Sequence, residues 1–183
     1  MKQRGFTLIE ILITVFVIAL FVGLVGLSFQ NDPRYKEIER EGKRLKFYLE
    51  MASDEAIFQN VDLGFYLTKS GVHPYKYKFV EPDPNNPEDE GKYVWEEFQT
   101  RLLKAHQLPE LFGFDVSIDG QNLKLNYSVP EKIEEIEPQF FISASGEQPV
   151  AEFELSIEEF TSFAIVKGEG LGRFVVEVIH EDI

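Results

Sequence analysis

From Phe6 to Phe29 the chain runs 24 residues in which only Thr7, Glu10, Thr14 and Ser28 are polar. As a helix rising about 1.5 Å per residue, this run covers roughly 36 Å, enough to cross a hydrocarbon core of about 30 Å. Lys2 and Arg4 precede it and the remainder is mostly acidic, so the positive-inside bias keeps the amino terminus cytoplasmic and exports the bulk. A secretory signal peptide would carry an apolar core of about 7–15 residues closed by a small-residue cleavage site. This segment is longer and has no such site, so it is read as a retained anchor. It contains one acid, Glu10. An ionised carboxylate costs about 2.5–3.5 kcal/mol at the bilayer centre and less near the interface, so an acid kept there points to function rather than mere headgroup contact.

The string Gly5-Phe6-Thr7-Leu8-Ile9-Glu10 after a short basic leader resembles the class III signal of type IV pilins and pseudopilins. The resemblance implies that a membrane aspartyl peptidase, the prepilin peptidase, cuts between Gly5 and Phe6. It implies also that Phe6 becomes the N-methylated first residue and that Glu10 is the assembly glutamate. The physical reading agrees. Cleavage places an ammonium on Phe6, four residues and about one helical turn from Glu10. A neighbouring subunit's ammonium could then offset much of the membrane cost of the carboxylate, which makes polymerisation favourable.

Lys2, Arg4 and Glu10 are the only charges in the first 29 residues, so the other 154 carry 16 basic and 31 acidic residues, a net of −15. That length suits one domain with its own core. Such a surface repels nucleic acid and anionic lipid, whose capture depends on Lys and Arg neutralising phosphate. No nucleic-acid partner is expected. The chain has no cysteine, which removes any disulfide framework and leaves stability to packing. It also removes the cysteine-bounded loop of many true type IV pilins, and so tilts the resemblance toward pseudopilins of type II secretion.

Asn31-Asp32-Pro33 reads as an N-cap followed by proline at the first helical position. Ile38, Leu45, Leu49, Ala52 and Ala56 then fall at spacings of seven, four, three and four, one apolar face on a helix rich in Glu, Lys and Arg. From Val61 onward the period changes to two. Tyr75, Tyr77 and Phe79 alternate with Lys76 and Lys78, and Phe114, Val116 and Ile118 alternate with Asp115 and Ser117. Asp119-Gly120 offers a turn before Leu123, Leu125 and Tyr127. Further strands are expected at 139–143, 150–157, 163–167 and 173–179, with a short helix within 99–108. Helix first and antiparallel sheet after gives an α+β class.

The order of these pieces resembles the type II secretion protein H family, whose head is shared with minor pilins of the FimT kind. The residues that carry the likeness are Leu45, Leu49, Ala52 and Ala56; Leu63-Gly64-Phe65; Trp95; Leu108-Pro109; and Ser145-Gly146-Glu147 leading into 150–157. The resemblance implies a pilin-like fold with leader 1–5, transmembrane helix 6–29, amphipathic continuation 30–60 and β-rich periplasmic head 61–183. It implies a single-pass inner-membrane protein, a non-enzymatic subunit near the filament tip that helps move folded proteins across the outer membrane. Its partners would be minor and major pseudopilins and the prepilin peptidase, with secreted proteins as further contacts. A minor pilin of a surface pilus or DNA-uptake system, and an anchored periplasmic binding protein or enzyme, stay open beside it.

Other chemistry finds little support. Glu81-Pro-Asp-Pro-Asn-Asn-Pro-Glu-Asp-Glu-Gly91 is read as a solvated loop, since prolines interrupt Asp83 and Asn85 and no bidentate Glu stands where a calcium loop needs one. His73, His106 and His180 lack zinc-type spacing and are read as packing or surface residues. Gly168-Glu-Gly170-Leu-Gly172 lies between two apparent strands without a following Lys-Ser/Thr, so it is a hairpin turn rather than a phosphate loop. Glu134-Glu135 and Glu158-Glu159 read as solvated faces, and Gly23 and Gly26 as ordinary membrane-helix glycines. No catalytic residue, metal site or cofactor is expected.

Overall fold

The computed structural model describes residues 8–29, 32–82 and 90–180, of which 22–29 by backbone alone. The chain divides into two compact units, Met1–Glu37 and Ile38–Ile183. The first is dominated by helix α1, Leu8–Phe29, whose side chains from Leu8 to Phe21 are all exposed. Helix α2, Pro33–Gln59, begins in this unit. Its start is capped as the sequence predicts: Asp32 Oδ1 accepts a hydrogen bond from the Arg34 backbone N–H at 2.8 Å, which satisfies a donor the helix cannot. The Arg34 guanidinium closes on the same carboxylate at 3.0 Å.

In the second unit the expected stripe of α2 is fully buried. Ile38, Leu45, Leu49, Ala52 and Ala56 are each 0 % exposed. Gly42 lies on the same face, where a Cβ would come within 3.1 Å of Ala164 Cβ and 3.2 Å of Val176 Cγ1. The absent side chain lets the helix approach the strands closely.

The head is β-rich, and its strands form two antiparallel sheets rather than one. The strands are β1 Leu63–Thr68, β2 Gly71–Val80, β3 Lys92–Glu97, β4 His106–Gln107 and β5 Phe112–Ile118. They continue with β6 Gln121–Asn122, β7 Phe140–Ile142, β8 Ala151–Ile157, β9 Ser162–Gly168 and β10 Phe174–His180. The first sheet has the order β3-β2-β1-β7 with β4 also on β2, and the second the order β10-β9-β8-β5-β6. One apolar core joins α2 to both, through Phe65 and Leu67 of β1, Phe140 of β7, Phe153 and Leu155 of β8 and Val166 of β9. Phe140 bridges the sheets, packing at 5.7 Å on Phe65 and edge-on at 5.3 Å on Phe153.

Two sequence expectations are corrected. The short helix within 99–108 does not form. Thr100 Oγ1 instead accepts from the Leu102 and Leu103 N–H groups at 3.2 and 2.9 Å, and the next residues pair His106 with Val72 and Gln107 with Gly71. A local side-chain turn and an open strand edge compete successfully with helical bonding. The strand expected through Leu123, Leu125 and Tyr127 stops at Asn122. Its backbone is captured by the other sheet, where Asn126 O accepts from Lys69 N–H at 2.8 Å.

The turns follow their chemistry. Asp119 and Gly120 have φ of 50° and 77° between β5 and β6, as a two-residue hairpin requires. Gly170, Leu171 and Gly172, also at positive φ, close the hairpin between β9 and β10. The Ser145-Gly146-Glu147 turn precedes β8, with Gly146 at φ 82°.

Candidate functional site

Helix α1 presents a stripe of Leu8, Ile11, Leu12, Val15, Phe16 and Ala19 at the three- and four-residue spacing of one helix face. Apolar side chains cover its other faces too: Ile9, Ile13, Val17, Ile18, Leu20 and Phe21 are exposed. A helix apolar all round is stable only where lipid or other helices surround it. Glu10 stands in its first turn, and its carbonyl accepts the Thr14 hydroxyl at 2.7 Å, which turns Thr14 inward on the helix backbone. Gly5 and Phe6 lie outside the described residues, and Gly23 and Gly26 are described by backbone alone. Among the described residues no helix is long and apolar enough to cross a membrane. The described side chains of α1 stop at Phe21, so the expected span 6–29 lies partly outside them.

A second feature escaped the sequence reading. Glu41 and His106 are 2 % and 8 % exposed, and His106 Nε2 lies 3.1 Å from Glu41 Oε1. Arg44 holds the other oxygen at 2.7 Å. Burial pushes the Glu41 carboxyl upward, but the hydrogen bond to His106 and the charges of Arg44 and His106 outweigh it, and the net is below the usual carboxylate range. Tyr48 packs its ring 5.1 Å from His106, and burial raises its phenol well above the ordinary value. The group clamps β4 onto α2. A signal existed in the sequence: Glu41 is three residues after Ile38 and four before Leu45, inside the apolar stripe.

His73 and His180 do not join it. His73 is half-buried, with Thr68 Oγ1 at 3.4 Å, and burial lowers its pKa against the opposing charge of Glu97. His180 Nδ1 lies 2.9 Å from Ser162 Oγ. Glu134, Glu135, Glu158 and Glu159 are exposed, and of the acidic stretch 81–91 residues 83–89, including Asp83 and Asn85, lie outside the described residues. Among the described residues no group of three or more His, Asp or Glu could hold a metal ion.

The outer face of the first sheet is the third feature. Tyr77, Phe79 and Tyr93 are 44 %, 44 % and 60 % exposed and form a ladder with Trp95, Tyr77 lying 4.9 Å from Tyr93 and 4.8 Å from Trp95. The expected period two holds in β2, but beyond Tyr75 it marks an open face.

Residues 1–26 match the prokaryotic N-terminal methylation motif. Over 160 residues the chain is 30 % identical to the type II secretion system protein H of Pseudomonas aeruginosa, spanning 86 % of this chain and 84 % of that protein. This chain belongs to the type II secretion system protein H family. A second relative in the family, from Dickeya chrysanthemi, is 28 % identical over 122 residues, 64 % of this chain and 65 % of that one. The fold agrees: two structures of the minor pseudopilin EpsH from the type 2 secretion system of Vibrio cholerae superpose with TM-scores of 0.53 and 0.54 at 16 % identity, covering 79 % of this chain and 97 % of theirs. The expected pilin-like α+β class holds, and a protein H of this family is a minor pseudopilin, a structural subunit of the secretion system. Its prepilin-type amino terminus and its family go with anchoring in the inner membrane.

Proposed function

We propose that this minor pseudopilin is cut by the prepilin peptidase between Gly5 and Phe6, methylated on Phe6, and drawn into a periplasmic filament through α1, with Glu10 fixing its register. Its amino terminus lies on the cytoplasmic side, residues 6–29 span the inner membrane once, and the head 61–183 stands in the periplasm. There it joins other minor and major pseudopilins at the filament tip, helping folded proteins leave through the outer membrane. The observation that carries this reading is α1 itself, apolar on every described face with one acid in its first turn. Lipid tails are as apolar as the helix, so burial alone gives little reason to leave them. Close packing and a polar contact at Glu10 supply one.

Replacing Glu10 by Val leaves insertion and cleavage intact but abolishes incorporation, read as loss of co-purification with partner pseudopilins; normal co-purification defeats the assembly role. Gly5→Ala blocks or greatly slows processing, read as the absence of the mobility shift on coexpression with the peptidase. Mass spectrometry of the native protein should give N-methylphenylalanine as the first residue.

A further inference from the structure

The outer face of the first sheet holds a cleft of about 430 Å³ whose lining includes Tyr77, Trp95 and Phe141 as well as Asp62 and Glu147. Trp95 is its centre. Its ring lies 4.8 Å from Tyr77 and 5.7 Å from Phe141, tilted at 44° and 40° to them, so three packed aromatic rings contribute to the lining of one cleft. Beneath the indole is Gly64, where a Cβ would stand 2.8 Å from Trp95 Cζ3. The bare backbone of β1 is what lets the ring settle.

The rim is acidic and held in place. Asp62 Oδ1 accepts the Ala144 N–H at 2.9 Å, and the turn bearing Glu147 is closed by Ser143 N–H to Glu147 O at 2.9 Å and Glu147 N–H to Ser143 Oγ at 3.1 Å. No Lys, Arg or His is among the described lining residues. Lys76 and Lys78 project from the opposite face of β2, both drawn to Glu96 at 2.9 and 3.6 Å. Aromatic faces attract a cation through the ring quadrupole, and two carboxylates with no basic neighbour favour the same occupant.

We infer that this cleft receives an arginine or lysine side chain from the head of another filament subunit. The inference rests on the filament reading above. A second copy of this chain is the poorer occupant, because each exported part carries a net of −15 and like charges oppose such contact. A subunit presenting a basic loop meets both the aromatic wall and the acidic rim.

Trp95 is the only tryptophan of the chain, so intrinsic fluorescence reports on the cleft directly. The full chain in detergent is titrated with the peptide acetyl-Gly-Arg-Gly-amide and with its citrulline counterpart, which has nearly the same shape without the charge. The arginine peptide should change Trp95 emission at concentrations at least about fivefold lower than the citrulline one, a ratio set by cation–π attraction. Equal responses, or none from either, overturn the proposal. The double variant Asp62→Asn/Glu147→Gln keeps the Oδ1 acceptor for Ala144 and should lower capture of a co-expressed partner subunit about tenfold or more. Unchanged capture overturns the proposal, as does loss of contact with a secreted protein alone. If the double variant assembles normally while Glu10→Val does not, the cleft assignment fails and the filament reading stands; if both assemble, the filament reading fails.

Discussion

The two helices of this pseudopilin are both long, yet they meet opposite surroundings. Every described side chain of α1 is exposed although nearly all are apolar, whereas α2 hides one stripe and leaves open a surface rich in charge, with Phe47, Ile57 and Phe58 also exposed. The difference separates two uses of hydrophobicity. In α2 burial is intramolecular and stabilises the head; in α1 the described apolar side chains are exposed, and on the proposed reading they wait for lipid or other subunits.

Substitutions on α2 should therefore read out as unfolding, and those on α1 as failed assembly. Leu49→Ala, at a fully buried position, is expected to lower head stability by about 2–5 kcal/mol in denaturant titration followed by Trp95 emission. Phe16→Ala on α1 should leave that curve in place. A shared loss would break the comparison.

The next effect is at the clamp. His106→Ala strips one partner from buried Glu41 while Arg44 remains, with an expected cost of about 1–3 kcal/mol. The sequence leaves His106 open as a packing or a surface residue; its burial against Tyr48 fits the first, and a cost near zero would count against the clamp. Acid sharpens the same point. The fold holds the Glu41 carboxyl below its ordinary value, so its stabilising contribution is whole above the unfolded value of about 4.3 and is lost as pH falls through the folded one. Glu41→Gln should flatten that part of the acid limb of the stability profile; an unchanged limb would place the acid sensitivity elsewhere. The smallest effect belongs to the exposed acids: Glu158→Ala should change head stability by no more than about 0.5 kcal/mol.

Much of this was legible beforehand. The N-cap at Asp32, the five-residue stripe on α2, the Asp119-Gly120 turn and the strands from β7 to β10 follow from local rules, because caps, turns and periodicities are written within a few neighbouring residues. Two errors share a cause. The helix expected near Thr100 and the strand expected through Leu125 both depended on which distant backbone or side chain arrived. Thr100 turned the chain toward Val72, and Asn126 was taken by Lys69.

The candidate site divides the same way. The roles proposed for Gly5, Phe6 and Glu10 rest on one string of six residues, so no fold is needed to propose them. Glu41 and His106 are 65 residues apart, and the walls of the Trp95 cleft come from four strands, β1, β2, β3 and β7, together with Asp62 and the turn after β7. A sequence by itself determines where its apolar surface lies, what period it follows and where the chain can turn, because those are properties of near neighbours. Which of those surfaces closes against another, and which is left open for a partner, was decided only by the tertiary structure, since burial is a relation between segments that a local pattern does not contain.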